Sequence, residues 1–422
     1  MAGLTWLHLS DWHQKDESFD RNVVQEELIK DIKKRSEIDH LTEWLKHVKP
    51  HSKNHVCRLT WLQSYPSYHW GKYRETHRLL QSAFSLVEDL PGSDQELKAN
   101  ILNDLGFTYG AFGNHKEALR YKERALEIRR QLFGEQHPDT AVSINNVGST
   151  YSALGNHKEA LKYEEHALEI RRQLFGEKHP DTAASLNNVG VIHGYLGNHK
   201  EALKCKERAL EIRRQLFGEQ HPDTAASLNN VGSIYGDLGN HKKGLKYQEN
   251  ALEIRRQLFG EQHPYTANSL NNVGKTYNDL GDYKEALRYK QHALEICRQL
   301  FGKQHPYTAV CLHNVGGTYG SLGNYVESLN YVKQAFEIRY QILGEYHPYT
   351  ANSFYGLVYS LMKLKKFNEA SERLNNYLKD LPHEHPVYEK LVALSQSIQQ
   401  ESVKSGFRPQ SAKKKGKKKK KK

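Results

Sequence analysis

The stretch Asp181 to Pro222 reads DTAASLNNVGVIHGYLGNHKEALKCKERALEIRRQLFGEQHP, and its 42-residue frame recurs without a slip at Pro138, Pro180, Pro222, Pro264, Pro306 and Pro348. Gly113, Gly155, Gly197, Gly239, Gly281 and Gly323 keep the same spacing. A fixed period in this range marks a solenoid, because one unit cannot bury its apolar face without a neighbour stacked on it. Two helices can be drawn in each unit. Helix A is expected over about 181–196, with Asp181 as N-cap or first-turn acid. Leu186, Val189 and Ile192 fall on one of its faces. Gly197-Asn198 ends it where a positive φ is cheapest. Helix B is expected over about 199–217, with Ala202, Ala209, Leu210, Leu216 and Phe217 as the buried stripe and Gly218 as the stop. The fold class is therefore all-α, a stack of helical hairpins.

Composition agrees. Hydrophobic residues make up 37% of the 422 positions, low for a globular domain but suited to a solenoid without a large central core. The net charge is +12, and nine lysines between Lys413 and Lys422 leave the rest near +3. Cys57, Cys205, Cys297 and Cys311 form no CxxC pair, which fits reduced thiols in a cytosolic protein. No apolar run reaches the ~18–20 residues of a membrane span. Leu4 to Leu9 is too short for a signal peptide. A cytoplasmic location is expected.

Inside the unit, Gly148, Tyr151, Ala160, Ala167 and Pro180 form a set that returns as Gly232, Tyr235, Ala251 and Pro264, with Gly244 at the place of the first alanine. This resembles the tetratricopeptide repeat, lengthened from its usual ~34 residues by about two helical turns. LNNVG, LG(N/D)(H/Y)KEAL, ALEIR, LFG and HP together resemble the long repeats of kinesin light chains and nephrocystin-type proteins. The resemblance implies a right-handed α-solenoid with helix A on the concave face. It also implies that the second asparagine of each helix A pair contacts the backbone of an extended peptide. Those residues are Asn146, Asn188, Asn230, Asn272 and Asn314, beside Asn145, Asn187, Asn229 and Asn271. An amide donates and accepts at once, which suits a peptide bond of any sequence; bridging between neighbouring repeats is the structural alternative. Copies 139–180 and 181–222 differ mainly in the second half of helix A and the middle of helix B. Lys275, with Ser149, Ser233, Tyr195, Asp237 and Asp279, would then set specificity.

The expected organisation is a non-repeat segment over 1–36, then a helical transition over 37–96 with a degenerate first repeat broken by Pro66. The array follows over 97–382, as six full repeats and a shorter seventh. A capping helix over 383–404 and a disordered polylysine tail over 405–422 complete it. No sustained heptad pattern occurs in residues 1–96, so a coiled-coil link to a motor is not supported. Leu4 to Ser10 followed by Asp11-Trp12-His13 resembles the start of a calcineurin-like metallophosphoesterase, whose two-metal centre needs further motifs. Those motifs are absent in usable form: the GNHK copies at Gly113, Gly155, Gly197 and Gly239 and GDYKE at Gly281 are turns of the repeat. A truncated fragment is expected there.

The 24 histidines sit mostly in the A–B turn (His115, His157, His199, His241) and the His-Pro loop. Neighbouring copies are too far apart to share an ion with ~2 Å ligand bonds, so loop structure is their expected role and no metal site is assigned. No nucleophile–base pair, GxGxxG or P-loop occurs, so no catalytic residue, cofactor or small-molecule substrate is expected. The function expected is a non-enzymatic scaffold that binds a protein or peptide ligand in the concave groove. The alternatives are a regulatory arm of a phosphoesterase–repeat fusion, and a tether to nucleic acid or an anionic membrane surface through Lys413–Lys422.

Overall fold

The computed structural model describes residues 53–69, 72–88, 94–383 and 385–405. The phosphoesterase-like segment with Asp11 and His13 and the Lys413–Lys422 tail lie outside the described residues. Every regular element among the described residues is a helix: α1 (Lys53–His69), α2 (Tyr73–Glu88), α3 (Gln95–Ala111), α4 (His115–Phe133), α5 (Pro138–Ala153), α6 (His157–Phe175), α7 (Pro180–Tyr195), α8 (His199–Phe217), α9 (Pro222–Asp237), α10 (His241–Phe259), α11 (Pro264–Asp279), α12 (Tyr283–Phe301), α13 (Pro306–Ser321), α14 (Tyr325–Leu343), α15 (Pro348–Lys363), α16 (Phe367–Asp380) and α17 (Tyr388–Lys404). They pair in order as eight antiparallel hairpins followed by α17. α1 runs on through Pro66, where the sequence suggested a break.

The start of each A helix is set by its His-Pro pair. His179 has the extended backbone that a following proline favours, and its Nδ1 accepts the Asp181 N–H at 3.2 Å. Pro180 then opens α7 where a missing N–H costs nothing. Asp181 is thus the first-turn acid, and the cap is a histidine. The same cap forms at His137, His221, His263, His305 and His347. The ring of Phe175 stacks on His179 at 4.3 Å between centroids, and Phe133, Phe217, Phe259 and Phe301 repeat the stack.

Six hairpins, from α3–α4 to α13–α14, close at a glycine. A Cβ on Gly190 would lie 3.1 Å from the Ala202 carbonyl and 3.0 Å from Lys206 Cγ, so only a bare Cα fits this crossing. Leu186, Val189 and Ile192 are buried as expected, and so are Ala202, Ala209 and Leu210. Leu216 is not: it is 40% exposed, and Ile212 takes the buried place four residues earlier. By that point helix B has rotated its stripe past the neighbouring hairpin, and Phe217 turns to the His221 cap instead.

Consecutive helices pack in chain order along the whole stack. Successive A helices also touch, as in α7–α9, α9–α11, α11–α13 and α13–α15, which places them on the inner side of the curve. The curve closes on itself. α2 meets α14, and Gly113, in the turn before α4, abuts Pro348 at the start of α15. The His347 ring packs beside Pro348 against the same turn. One turn of the superhelix is thereby sealed edge to edge, and the A helices line its interior.

Candidate binding groove

The inner surface is built from four positions of each A helix. In α5 these are Val142, the Asn145-Asn146 pair, Ser149 and Ala153, one helical turn apart. The first position is apolar in places: Val142 and Val310 are 39% and 40% exposed. The last carries Tyr195 in α7, 62% exposed, stacked on His157 of the preceding hairpin at 5.0 Å. Asp237 and Asp279 occupy that place in α9 and α11, and Lys275 is exposed one turn earlier.

Between them runs a ladder of amides. Asn146 Nδ2 donates to Asn103 Oδ1 at 2.8 Å, Asn188 to Asn145 at 2.6 Å, and Asn230 to Asn187 at 2.7 Å. Asn314 continues it to Asn271 at 3.4 Å. Each second asparagine therefore holds the first asparagine of the hairpin before it. One rung differs. Asn229 is buried and turns inward to donate to Ser269 Oγ at 3.0 Å, and Asn272 instead reaches Asn268 of its own helix at 3.4 Å. Asn271 donates to Cys311 Sγ at 3.2 Å, the same inward step one hairpin later. All ten residues singled out from the sequence thus lie on the inner A helices. The nine asparagines are engaged with the scaffold, and Lys275 stands out from it.

Behind the ladder lies a buried layer that the sequence reading passed over. Arg129, Arg171, Arg213, Arg255 and Arg339 of the B helices reach through Nη1 to Ser143, Ser185, Ser227, Ser269 and Ser353 of the next A helix, at 2.6–2.9 Å. Burial lowers the pKa of each of these arginines. The signal was present as an Arg and a Ser always 14 residues apart. A second buried row sits where helices A and B cross: Lys122, Glu164, Lys206, Gln248 and Lys290. Lys122 and Lys290 donate to Thr150 and Thr318 at 3.0 and 2.8 Å, and Gln248 accepts from Thr276 at 2.7 Å. Burial pulls both lysines down to about 8. Glu164 and Lys206 meet Ile192 and Ile234 at the place of that hydroxyl in the repeat, and burial pushes Glu164 up to about 7.

Among the described residues, no group of three or more His, Cys, Asp or Glu side chains could hold a metal ion. None of the described helices is long and apolar enough to cross a membrane. What the interior offers is a wall of hydrogen-bonding amides beside a position that varies along the stack, Ser149, Val191, Ser233 and Lys275.

Stacked hairpins with close glycine crossings and an inner polar face define a helical-repeat scaffold. The tetratricopeptide repeat matches residues 68–131, 111–173, 165–215, 181–243, 223–299 and 273–341, windows that together cover more than half of the chain. The chain belongs to the tetratricopeptide repeat family. The search of curated proteins finds no match. Among solved structures, the Rap protein complexed with competence and sporulation factor is 15% identical, with a TM-score of 0.50 over 83% of this chain and 99% of that one. BtubC (BKLC) from P. vanneervenii is 25% identical, with a TM-score of 0.44 over 53% and 91%. The nearly identical TPR-like repeats of what is described as a Podosopora anserina kinesin light chain are 20% identical, with a TM-score of 0.41 over 49% and 97%.

Proposed function

We propose that the protein is a non-enzymatic adaptor that binds an extended segment of another protein along the inner face of its A helices. The observation that carries this is the ladder itself: amides at a fixed interval, on a rigid inner wall, each beside a position that changes from hairpin to hairpin. Ser149, Val191, Ser233 and Lys275 occupy equivalent places in α5, α7, α9 and α11 and would distinguish ligands. Lone pairs and N–H groups that the ladder leaves over would meet the ligand backbone. The Rap protein, of similar fold, has been solved in complex with competence and sporulation factor, which supports a binding role for a scaffold of this fold. In this reading the hairpin of α1 and α2 is a degenerate first repeat, and α17 caps the stack, burying Leu391, Leu394 and Ile398 against it.

The test is capture of partners by the wild-type chain and by two triple variants. One changes Asn188, Asn230 and Asn272 to Ala; the other changes Tyr195, Ser233 and Lys275 to Ala. Circular dichroism establishes that each is folded. Loss of the same partners from both is expected. Retention of every partner by both folded variants would remove the inner face from consideration.

A further inference from the structure

Across the six junctions from α4–α5 to α14–α15, the Arg–Ser pair behind the ladder is replaced at one. At the place of Arg255 and Ser269 the next copy has Cys297 on α12 and Cys311 on α13, and the copy after that returns to Arg339 and Ser353. Both members changed together. The two sulfurs lie 3.3 Å apart, within contact distance, and both side chains are buried at 4% and 2% exposure. A single change would have left an arginine facing a thiol, or a serine without its donor. The paired change leaves two thiols in contact, which can do one thing that an Arg–Ser pair cannot. Contact between the sulfurs is the geometry from which a covalent bond of ~2.05 Å would close.

We infer that Cys297 and Cys311 are a redox modification site, a buried dithiol that a hydroperoxide oxidises to a disulfide joining α12 to α13. Cys311 is placed to react first. The Cys311 thiol donates to Cys297 Sγ at 3.3 Å and accepts the Asn271 amide N–H at 3.2 Å; once Cys311 has lost its proton, both neighbours can donate to its sulfur, which favours the thiolate there. Its thiolate attacks the peroxide oxygen; the O–O bond breaks, leaving a sulfenic acid on Cys311 and water or an alcohol. The Cys297 sulfur then displaces hydroxide from the Cys311 sulfur. The thiol proton leaves with that hydroxide as water, and the S–S bond forms. Two thiols lose two hydrogens and the peroxide gains them. Access requires a local opening of the α12–α13 hairpin junction, so the reaction is slow compared with that of an exposed thiol. The product also bears on the inner face. Asn271 donates its amide N–H to Cys311 and accepts from Asn314 Nδ2 at its Oδ1, so a sulfur drawn towards Cys297 loosens that rung.

The site is tested on the full chain with hydrogen peroxide, followed by alkylation of free thiols and peptide mass mapping. The expected product is one linked pair, Cys297–Cys311, lighter by two hydrogens and restored by dithiothreitol, with Cys57 and Cys205 alkylated. The oxidised wild type should melt several degrees above the reduced form. The double variant Cys297→Arg/Cys311→Ser, which restores the pair of the other hairpins, should fold and show no oxidant-dependent shift. Free Cys297 beside an over-oxidised Cys311, both thiols unmodified after prolonged exposure, or an equal melting shift in the double variant would each overturn the assignment. None of these outcomes depends on what the inner face binds.

Discussion

Gly232 and Gly236 lie one turn apart on α9, and alanine at the two places should have opposite effects. In a helix interior alanine is worth about 1 kcal/mol over glycine, so propensity alone favours both changes equally. The surroundings do not. A Cβ on Gly232 would sit 2.8 Å from the Gly244 carbonyl oxygen and 2.7 Å from Gln248 Cγ. The carbonyl belongs to helix backbone and cannot turn aside. Gln248 is buried and held by Thr276 Oγ1 at 2.7 Å, so it gives way only by losing that bond. Overpacking of this kind costs about 1–3 kcal/mol, and a lost buried hydrogen bond about 1 more. Set against the propensity gain, Gly232→Ala should destabilise by roughly 1–3 kcal/mol. On Gly236 the nearest atom to an added Cβ is His241 Nδ1 at 3.7 Å, an ordinary contact. Gly236→Ala should therefore stabilise by about 0.5–1 kcal/mol. Chemical denaturation of the full chain measures the difference, and hydrogen exchange in α9 and α10 localises it, since repeat arrays open hairpin by hairpin. A Gly232→Ala protein at least as stable as Gly236→Ala would refute the claim that this crossing, rather than helix propensity, decides the residue.

Glu164, held by burial near 7 against 4.5 when free, keeps its proton longer in the folded chain, so its contribution to stability falls as pH rises from 4.5 towards 7. Glu164→Gln, which copies Gln248, should raise the melting midpoint at about pH 8 and leave it unchanged at about pH 4; equal midpoints at both would contradict this. Arg255→Ala strips the Tyr265 carbonyl of its charged donor and Ser269 of one of its two donors, and should cost about 1.5–3 kcal/mol in urea titration, with an unchanged midpoint as the contrary result. Burial pushes His347 down to about 4, so the folded chain favours its neutral form and that stability is lost as pH falls from 6.5 towards 4. Because His347 packs against the Gly113 turn at the junction, His347→Ala should enlarge the radius of gyration in small-angle scattering at neutral pH; the wild-type radius would argue against a role in closure.

The period and the helix limits were open to sequence reasoning because they rest on local chemistry. α8 spans His199–Phe217 as the pattern indicates, and α7 starts one residue earlier than expected. That residue matters: the cap is His179, hidden because caps are usually sought among oxygen acceptors, whereas imidazole Nδ1 serves here. The buried arginines were hidden for a related reason. A charge every 42 residues on an otherwise polar helix resembles a solvated face, and only its partner serine on the next helix removes it from water. The asparagines were found, but their mutual pairing was not, because it joins residues 43 apart whose distance depends on how hairpins stack. Closure of the superhelix was illegible altogether. It is the sum of small rotations between hairpins, and no single residue encodes it.

The satisfied state of the ladder constrains what can bind it. Were the asparagines unpaired, a ligand could gain the large free energy of rescuing buried polar groups. Asn188 and Asn230 already hold Asn145 and Asn187, so a ligand exchanges water for whatever bonding capacity remains. Each such exchange is worth about 0.5–1.5 kcal/mol, too little for a ligand that meets one or two rungs. A segment that follows several hairpins collects the same term repeatedly, and it does so against a wall whose amides are pre-oriented. The ordering cost then falls mainly on the ligand. An extended chain therefore suits this interior better than a folded surface. The side chains at Val191, Ser233 and Lys275, which bridge nothing in the ladder, are where one extended chain would be told from another.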